Sequence, residues 1–271
     1  PPSATESGGA PDAPRESPSH TRGAMKQTKL LQSCFSFFDM HGGLFAIQAF
    51  PGENEPSDYS GELQISHDMG LSFRKAQFPE TLVEKHYLVL DGTAGNIFIH
   101  VLHGSEFTGS VYESSSDEYV FSLILHNVEY SERPLLSSFH RLLSLEGTYF
   151  ATVSTEQLDI PAGHDDYDST LETTGLYTVR TFNKGSKWSR IRAPESIPCL
   201  EPPCYLNLYG ADSKSVRTPV LSENTAIGLV LGNGYVGEYL DDVPDVDEVA
   251  TYFSRDGGLT FEMFSEYPHA Y

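Results

Sequence analysis

Ser66-His67-Asp68-Met69-Gly70-Leu71-Ser72-Phe73 is repeated near the other end of the chain as Ser254-Arg255-Asp256-Gly257-Gly258-Leu259-Thr260-Phe261. Both stretches fit the template Ser-x-Asp-x-Gly-x-Ser/Thr-Phe. A looser third copy is Thr181-Phe182-Asn183-Lys184-Gly185-Ser186-Lys187-Trp188, and residues 114–121 keep only the first Ser and the last aromatic residue. Self-similarity of this kind is typical of a repeat architecture.

The template has the chemistry of a hairpin turn. The Asp or Asn side chain accepts hydrogen bonds from turn amides, and Gly takes a positive-φ position that a residue with a Cβ resists. This is the Asp-box of β-propellers, so we predict a structural role for it and no catalytic residue. The predicted structural residues are Ser66, Asp68, Gly70, Phe73, Asn183, Gly185, Trp188, Ser254, Asp256, Gly258 and Phe261.

The rest of the sequence predicts an all-β fold. Short apolar or alternating runs bounded by Gly, Asp, Asn, Ser and Pro predict strands. They lie at 44–50, 62–65, 86–90, 96–102, 120–125, 148–153, 177–182, 205–209, 226–231 and 249–253. The template copies start at residues 66, 114, 181 and 254. Because a four-stranded blade takes about 40–50 residues plus loops, the chain is expected to hold about four blades.

Two segments fall outside this pattern. Residues 1–24 are rich in Pro, Ser, Gly and Ala and are predicted to be disordered, which leaves a partial propeller over residues 25–271. Residues 157–174 form an acidic insert predicted to be a loop. His164 beside Asp165 and Asp166 could bind a metal weakly, but a solvated charge run is the favoured interpretation. We therefore predict neither metal nor cofactor.

The charge balance excludes some partners and favours others. The net charge is −21, from 17 Lys+Arg against 38 Asp+Glu, so nucleic acid and a bare acidic membrane surface are excluded as expected partners. Basic proteins or peptides would be attracted, although acidity that serves only solubility is an equal alternative. The sequence has neither a membrane-spanning apolar run nor a signal-peptide core, which fits a mature segment or an internal fragment.

Cys199 and Cys204 enclose two prolines in Cys-Leu-Glu-Pro-Pro-Cys. The prolines favour a turn that brings the thiols together, so we predict a small disulfide loop in an oxidising compartment. Reduced thiols in a cytosolic loop are the alternative. A zinc site is less favoured because no second Cys/His pair has suitable spacing.

The C-terminal half resembles the sortilin family. The resemblance is carried by Tyr177–Trp188, the Cys199/Cys204 pair, Ala226–Gly237 and Pro268-His269-Ala270-Tyr271, although Tyr267 stands where Gly is usual. Over about residues 34–271 the chain is similar to the middle-to-late blades of that family's ten-bladed vacuolar-protein-sorting-ten (Vps-ten) propeller. Its low-complexity inserts suit a protist member.

The resemblance implies a sorting receptor that binds protein or peptide cargo in the lumen of the Golgi and endosomes. It also implies further blades, Cys-rich modules, a transmembrane helix and a cytoplasmic tail outside this chain.

The same resemblance implies a cargo site. The family's apolar shelf matches Phe45, Tyr87 and Val89, its Ser falls at Ile47, and its carboxylate-binding Arg falls at Gly61, beside Glu62. The shelf is kept and the anion clamp is lost, so we expect cargo with a basic group rather than a peptide C-terminus. The alternative is that Phe45, Tyr87 and Val89 are ordinary blade core.

The chain has 10 His, which suggests a second hypothesis. Protonation in an acidic endosome would reduce the negative charge and loosen basic cargo. The candidates are His86, His100, His103, His126 and His140.

Two other functions stay open. Sialidases also use Asp-box propellers, but they need an Arg triad and a Tyr–Glu pair. Here Arg190-Ile191-Arg192-Ala193-Pro194 only partly matches their Arg-Ile-Pro motif. A propeller that binds a protein partner without any trafficking role is the third possibility. We expect no enzyme activity.

Overall fold

The computed structural model describes residues 34–40, 43–51, 59–79, 86–92, 96–102, 107–115, 118–132, 135–155, 175–199, 203–210, 220–240 and 248–269. The predictions for residues 1–24, His103 and the insert at 157–174 lie outside this part of the chain. What is described is built from β-strands, so the predicted all-β fold is confirmed. Within these ranges no helix has the length and apolarity needed to cross a membrane.

The described part of the chain contains 18 strands. They are β1 (Cys34–Met40), β2 (Gly43–Pro51), β3 (Tyr59–Ser66), β4 (Arg74–Lys75), β5 (His86–Asp91), β6 (Asn96–Leu102), β7 (Thr108–Ser115), β8 (Ser122–Glu132), β9 (Leu135–Ser137), β10 (Phe139–Arg141), β11 (Tyr149–Ser154), β12 (Leu176–Thr181), β13 (Ser189–Arg192), β14 (Tyr205–Leu208), β15 (Leu221–Ser222), β16 (Val230–Gly237), β17 (Ala250–Ser254) and β18 (Glu262–Ser265).

These strands form four successive antiparallel units. The first unit is β1–β4, the second β5–β8 and the third β10–β13. In the fourth unit, β14 and β15 pair with different parts of β16, which is followed by β17 and β18. Short pairings join the last three units into one sheet: Val128 opposite Val153, and β13 beside β14. Each unit is a meander whose neighbours in sequence are neighbours in space.

The hydrophobic core is divided among the boundaries between successive units. Phe45 and Ile65 of the first unit share a cluster with Tyr87 and Tyr112 of the second. A second cluster joins units two and three, and its buried members include Phe98, Val111, Val128, Phe139, Tyr149 and Val179. A third cluster joins units three and four, with Phe150, Ile191, Leu206, Val230 and Tyr252 among its members. Burying a large apolar side chain contributes about 1.5–3 kcal/mol, so these boundaries stabilise the fold.

This arrangement explains the burial pattern of the central strands. All six residues of β11 are buried, and so is nearly all of β6. A sheet covered on one face would alternate buried and exposed residues, whereas a sheet covered on both faces is buried along its length. Each of these units therefore packs against a neighbour on both sides.

Two predicted strands need correction. In the run 226–231, only Val230 and Leu231 are in a strand. Ala226 to Leu229 form a turn in which the Leu229 amide donates to the Ala226 carbonyl at 3.0 Å, and Gly228 has a φ of 76°. The run is apolar, but Ile227 is 83% exposed, so its hydrophobicity does not reflect burial. Val120 forms an isolated bridge with Gln77, and β8 begins at Ser122.

Candidate functional site

The repeated turns share one set of hydrogen bonds. In the first copy the Ser66 hydroxyl donates to Asp68 Oδ1 at 2.7 Å and accepts from the Gly70 amide at 2.8 Å. Asp68 also accepts from the Ser72 amide at 2.8 Å and from the Ser72 hydroxyl at 2.6 Å. Ser254, Asp256, Gly258 and Thr260 repeat these four bonds at 2.7, 2.8, 2.9 and 2.6 Å. The carboxylates are thus occupied within their own turns.

The third copy makes the equivalent bonds with a neutral side chain. The Thr181 hydroxyl donates to Asn183 Oδ1 at 2.8 Å, and the Lys187 amide donates to the same oxygen at 3.0 Å. Gly70, Gly185 and Gly258 have φ of 84°, 91° and 89°, the left-handed conformation that glycine tolerates best. The turn therefore needs an acceptor and a glycine but no charge.

The hydrogen bonds also control acidity in the charged copies. Donation from the side chain and then the amide of Ser72 lowers the pKa of Asp68 from 3.8 to about 2. For Asp256, burial raises the pKa, but the bonds from Thr260 and Ser254 outweigh it and the net direction is down. A carboxyl group held ionised in this way is a poor general acid at neutral pH.

Two of the turns contact the preceding unit. Lys184 Nζ donates to Asn96 Oδ1 at 2.9 Å, and the Trp188 indole donates to the Ile124 carbonyl at 3.1 Å. In the fourth unit, the turn around Gly258 lies against Phe150 and receives hydrogen bonds from Arg180 at the Gly258 and Leu259 carbonyls. The turns close their own hairpins and also join neighbouring units.

The structure brings the predicted shelf residues together, but it buries two of them. Phe45 and Tyr87 are 1% and 6% exposed and belong to one core cluster, with Val89 partly buried against it. The Tyr87 hydroxyl donates to the Gly61 carbonyl at 3.0 Å. Ile47 pairs with Leu63 across β2 and β3, and its side chain lies outside the described part of the structure. The geometry agrees with the alternative that Phe45 and Tyr87 are core residues of their units.

Glu62 is the accessible member of this group. Its side chain is 32% exposed and forms an ion pair with Lys75, whose side chain is 60% exposed. Burial is the main reason why the pKa of Tyr87 is raised, and the charge of Glu62 raises it further, which places that charge close to the phenol. Exposed ion pairs contribute only about 0–1 kcal/mol, so an incoming cation can compete with Lys75 for this carboxylate.

The candidate histidines do not form a single cluster. His100 is fully buried, and its Nδ1 lies 2.8 Å from the Ser137 hydroxyl. His86 and His126 are exposed, whereas His140 is half-buried. The four candidates that the structure describes belong to β5, β6, β8 and β10, so any effect of their protonation would be distributed over two units.

Cys199 and Cys204 form a disulfide with a Cα–Cα distance of 5.8 Å. The pair follows β13 and precedes β14, so it closes the connection between the third and fourth units. In the described part of the chain, no group of three or more His, Cys, Asp or Glu could hold a metal ion.

Sequence reasoning missed a polar contact between units two and three. The Tyr149 hydroxyl donates to Asp91 Oδ2 at 3.0 Å, and Arg141 donates to Asp91 Oδ1 at 3.3 Å. Asp91 and Tyr149 are 6% and 1% exposed, and burial raises the pKa of Tyr149. The trio resembles a glycosidase Tyr–acid pair only in composition, because it is buried and has a single Arg. Its members are 50 and 58 residues apart, and no local motif signals their contact.

Known proteins place this fold in a family. Residues 44–271 match the Sortilin-Vps10 family model, described as sortilin, neurotensin receptor 3. The chain belongs to the sortilin family. The predicted all-β fold class is confirmed, whereas the number of propeller blades, in this chain and in the complete ring, remains a prediction.

Individual relatives agree with this assignment. Vacuolar protein sorting/targeting protein 10 of Lodderomyces elongisporus is 31% identical over 224 residues, which is 77% of this chain and 14% of that protein. Mouse sortilin is 28% identical over 241 residues, covering 85% of this chain and 26% of that protein. The chain therefore spans about a seventh to a quarter of the length of these relatives. They are named as sorting proteins and not as enzymes.

Among solved structures, the chain is similar to an ulvan lyase, at 13% identity and a TM-score of 0.33 over 84% of this chain and 54% of that one. Trypanosoma rangeli sialidase is 10% identical with a TM-score of 0.31, over 87% of this chain and 38% of that one. At these values neither structure bears on function.

Proposed function

We propose that this chain is the luminal cargo-binding region of a transmembrane sorting receptor that carries proteins between the Golgi, endosomes and secretory organelles. The observation that carries the proposal is the match to the sortilin family over residues 44–271, with relatives named for vacuolar protein sorting. The membrane anchor and the remaining blades would belong to parts of the protein outside this chain. The disulfide is consistent with an oxidising lumen.

The cargo is proposed to be basic. The chain carries a net charge of −21, which favours association with cationic partners. Gly61 stands where the family's carboxylate-binding Arg would be, and the neighbouring Glu62 carboxylate is partly exposed. A Lys or Arg of the cargo would replace Lys75 as its partner. The buried Phe45 and Tyr87 would support this surface from beneath.

Binding of charged peptides tests this site. Fluorescent, acetylated and amidated pentapeptide pools with a fixed central Lys, or with its uncharged analogue norleucine, are titrated into the chain and followed by anisotropy. We expect the Lys pool to bind more tightly and Glu62→Lys to weaken that binding by about tenfold or more. Glu262→Lys is the control, because Glu262 is exposed in the fourth unit and its substitution changes the net charge equally.

Equal binding of the two pools, or equal effects of Glu62→Lys and Glu262→Lys, would show that the site is not at Glu62. Hydrolysis of a fluorogenic sialoside by the chain would support a glycosidase instead.

A further inference from the structure

A cleft of about 700 Å³ lies between the second and third units. Residues of β8 form one wall, residues of β11, β12 and β13 form the other, and Tyr239 of the fourth unit lies at its border. The units on both sides of the cleft are themselves flanked by described neighbours. The cleft is therefore a feature of the internal packing and not an end surface of the described units.

Arg190 is the cation of this cleft. Its guanidinium carbon lies 3.8 Å from the ring centre of Tyr205, 4.7 Å from that of Tyr177 and 5.6 Å from that of Tyr239. One terminal nitrogen donates to the Glu238 carbonyl oxygen, while the buried Nε–H has no acceptor in the described part of the chain. Three aromatic rings thus fix the position of a guanidinium whose hydrogen-bonding capacity is incompletely used.

The charge of Arg190 is not neutralised by an ion pair with any described carboxylate. Glu238 is the described acidic residue whose charge acts on Arg190, and its exposed carboxylate interacts with the Tyr239 hydroxyl. Burial is the main factor that lowers the pKa of Arg190, and the surrounding phenols and Glu238 oppose it. A partly desolvated guanidinium without a counterion attracts an anion more strongly than an exposed one does.

The lining of the cleft contrasts with the rest of the molecule. Although the chain has 38 Asp and Glu, none of those that the structure describes lines this cleft, which presents Arg190 and the polar side chains of Asn127, Ser154 and Ser189. Trp188 and Tyr239 add aromatic surface beside Arg190, and the Trp188 indole is held by its bond to the Ile124 carbonyl. The combination suits a carboxylate carried on an apolar or aromatic peptide segment.

We propose that this cleft is a second peptide site, in which Arg190 binds a carboxylate and Trp188 and Tyr239 contact the neighbouring apolar groups. The site is separate from Glu62 and has the opposite charge preference, so it does not depend on the function proposed above. The carboxylate can come from an Asp or Glu side chain or from a peptide C-terminus. These sources share their chemistry and are separated by the experiment.

Trp188 provides the measurement because it is the single tryptophan among the 271 residues and it lines the cleft. Three acetylated pentapeptide pools without Trp are titrated into the chain and its emission is recorded. One pool has a central Glu and an amidated end, the second a central Gln and an amidated end, and the third a central Gln and a free carboxyl end. We expect a saturable change of emission with the Glu pool, the free-end pool or both, and binding about tenfold weaker with the uncharged pool.

Variants assign the effect to Arg190. Arg190→Gln should weaken carboxylate binding by about tenfold or more, whereas Arg255→Gln should leave it unchanged. Arg255 is a matched control, since it also lies over an aromatic ring, that of Phe253 at 5.0 Å, and is exposed in another unit. Because Arg190→Gln also removes ring contacts, Ser189→Asp provides a second test. Ser189 is exposed at the cleft, and a carboxylate there should repel the ligand while the circular dichroism spectrum stays native.

The proposal is overturned if no pool changes the emission, if the charged and uncharged pools act alike, or if folded Arg190→Gln and Ser189→Asp proteins bind like the unmodified chain. Loss of the carboxylate response in Ser189→Asp but not in Arg255→Gln supports it. Glu62→Lys should leave this response intact, which separates a failure here from a failure of the proposed cargo surface.

Discussion

At the scale of single residues, the three turns show whether the negative charge of the acidic motif is needed to form the turn. Asn183 occupies the position of Asp68 and Asp256 and accepts the same kinds of hydrogen bond. An amide oxygen therefore replaces one carboxylate oxygen of the turn, while the hydroxyl bonds from Ser72 and Thr260 have no counterpart at Lys187. Asp68 stays ionised because of the hydrogen-bond donors around it.

The lowered pKa of Asp68 predicts how the free energy of unfolding changes in acid. Its pKa is lowered from 3.8 to about 2, so the stability that its ionised form contributes is present above about pH 4 and is lost as the pH falls toward 2. Asp68→Asn should keep the turn and remove this dependence. Urea unfolding of both proteins from pH 5 to pH 2 measures it. A stability difference between them that stays constant over this range would contradict the prediction.

At the scale of elements, two glycines are constrained for different reasons. Gly147 lies between β10 and β11, and Gly258 lies in the last copy of the repeated turn. Gly147 and Gly258 both have positive φ, of 74° and 89°. A Cβ on Gly147 would meet Lys184 Cγ at 3.3 Å, the middle of a flexible side chain. A Cβ on Gly258 would lie 2.4 Å from Cζ of the buried Phe150 in the preceding unit. The second glycine is thus required by packing between units as well as by its own conformation.

Substitution of the two glycines by alanine should lower the free energy of unfolding by different amounts. Gly147→Ala should lower the free energy of unfolding by about 1–2 kcal/mol, the cost of a left-handed backbone. Gly258→Ala should lose that amount and about 1–3 kcal/mol more through overpacking. Urea denaturation measures both, and Phe150→Leu combined with Gly258→Ala should recover part of the second loss. Equal losses for the two single variants would show that the turn does not press on the preceding unit.

Sequence patterns predicted these elements to different extents. The sequence predicts Asn96–Leu102 with its observed bounds because most of its residues are apolar. The strands β4, β13 and β15 have two to four residues, which is too short to show a period, and the sequence does not predict them. The turns were predicted because their chemistry is local. The sequence does not predict the surroundings of Arg190, which appears there only in a partial Arg-Ile-Pro match. The tyrosines around it come from three separated segments.

At the scale of the whole molecule, each boundary between units has a shared apolar core and at least one polar contact. Tyr87 donates to the Gly61 carbonyl across the first boundary. Asp91 joins Tyr149 and Arg141 across the second boundary, and Arg180 reaches the Leu259 carbonyl across the third. The first turn has no preceding unit in the described chain, and its Met69 and Leu71 are 85% and 77% exposed. The equivalent Gly257 of the last turn packs against Leu145. A preceding unit would cover Met69 in the same way, whereas Leu259, the equivalent of Leu71, is 53% exposed even with a preceding unit.

The chain would bind peptides at two surfaces of opposite charge preference and leave the peptides intact. One surface has the Glu62 carboxylate, and the other has the Arg190 guanidinium. The most direct test is a crystal structure of the chain with a bound member of the Lys pool. Intact peptide with its ammonium group within hydrogen-bonding distance of the Glu62 carboxylate is the predicted result. Peptide seated elsewhere, with the Glu62–Lys75 pair undisturbed, or a cleaved peptide in the density, would contradict the account.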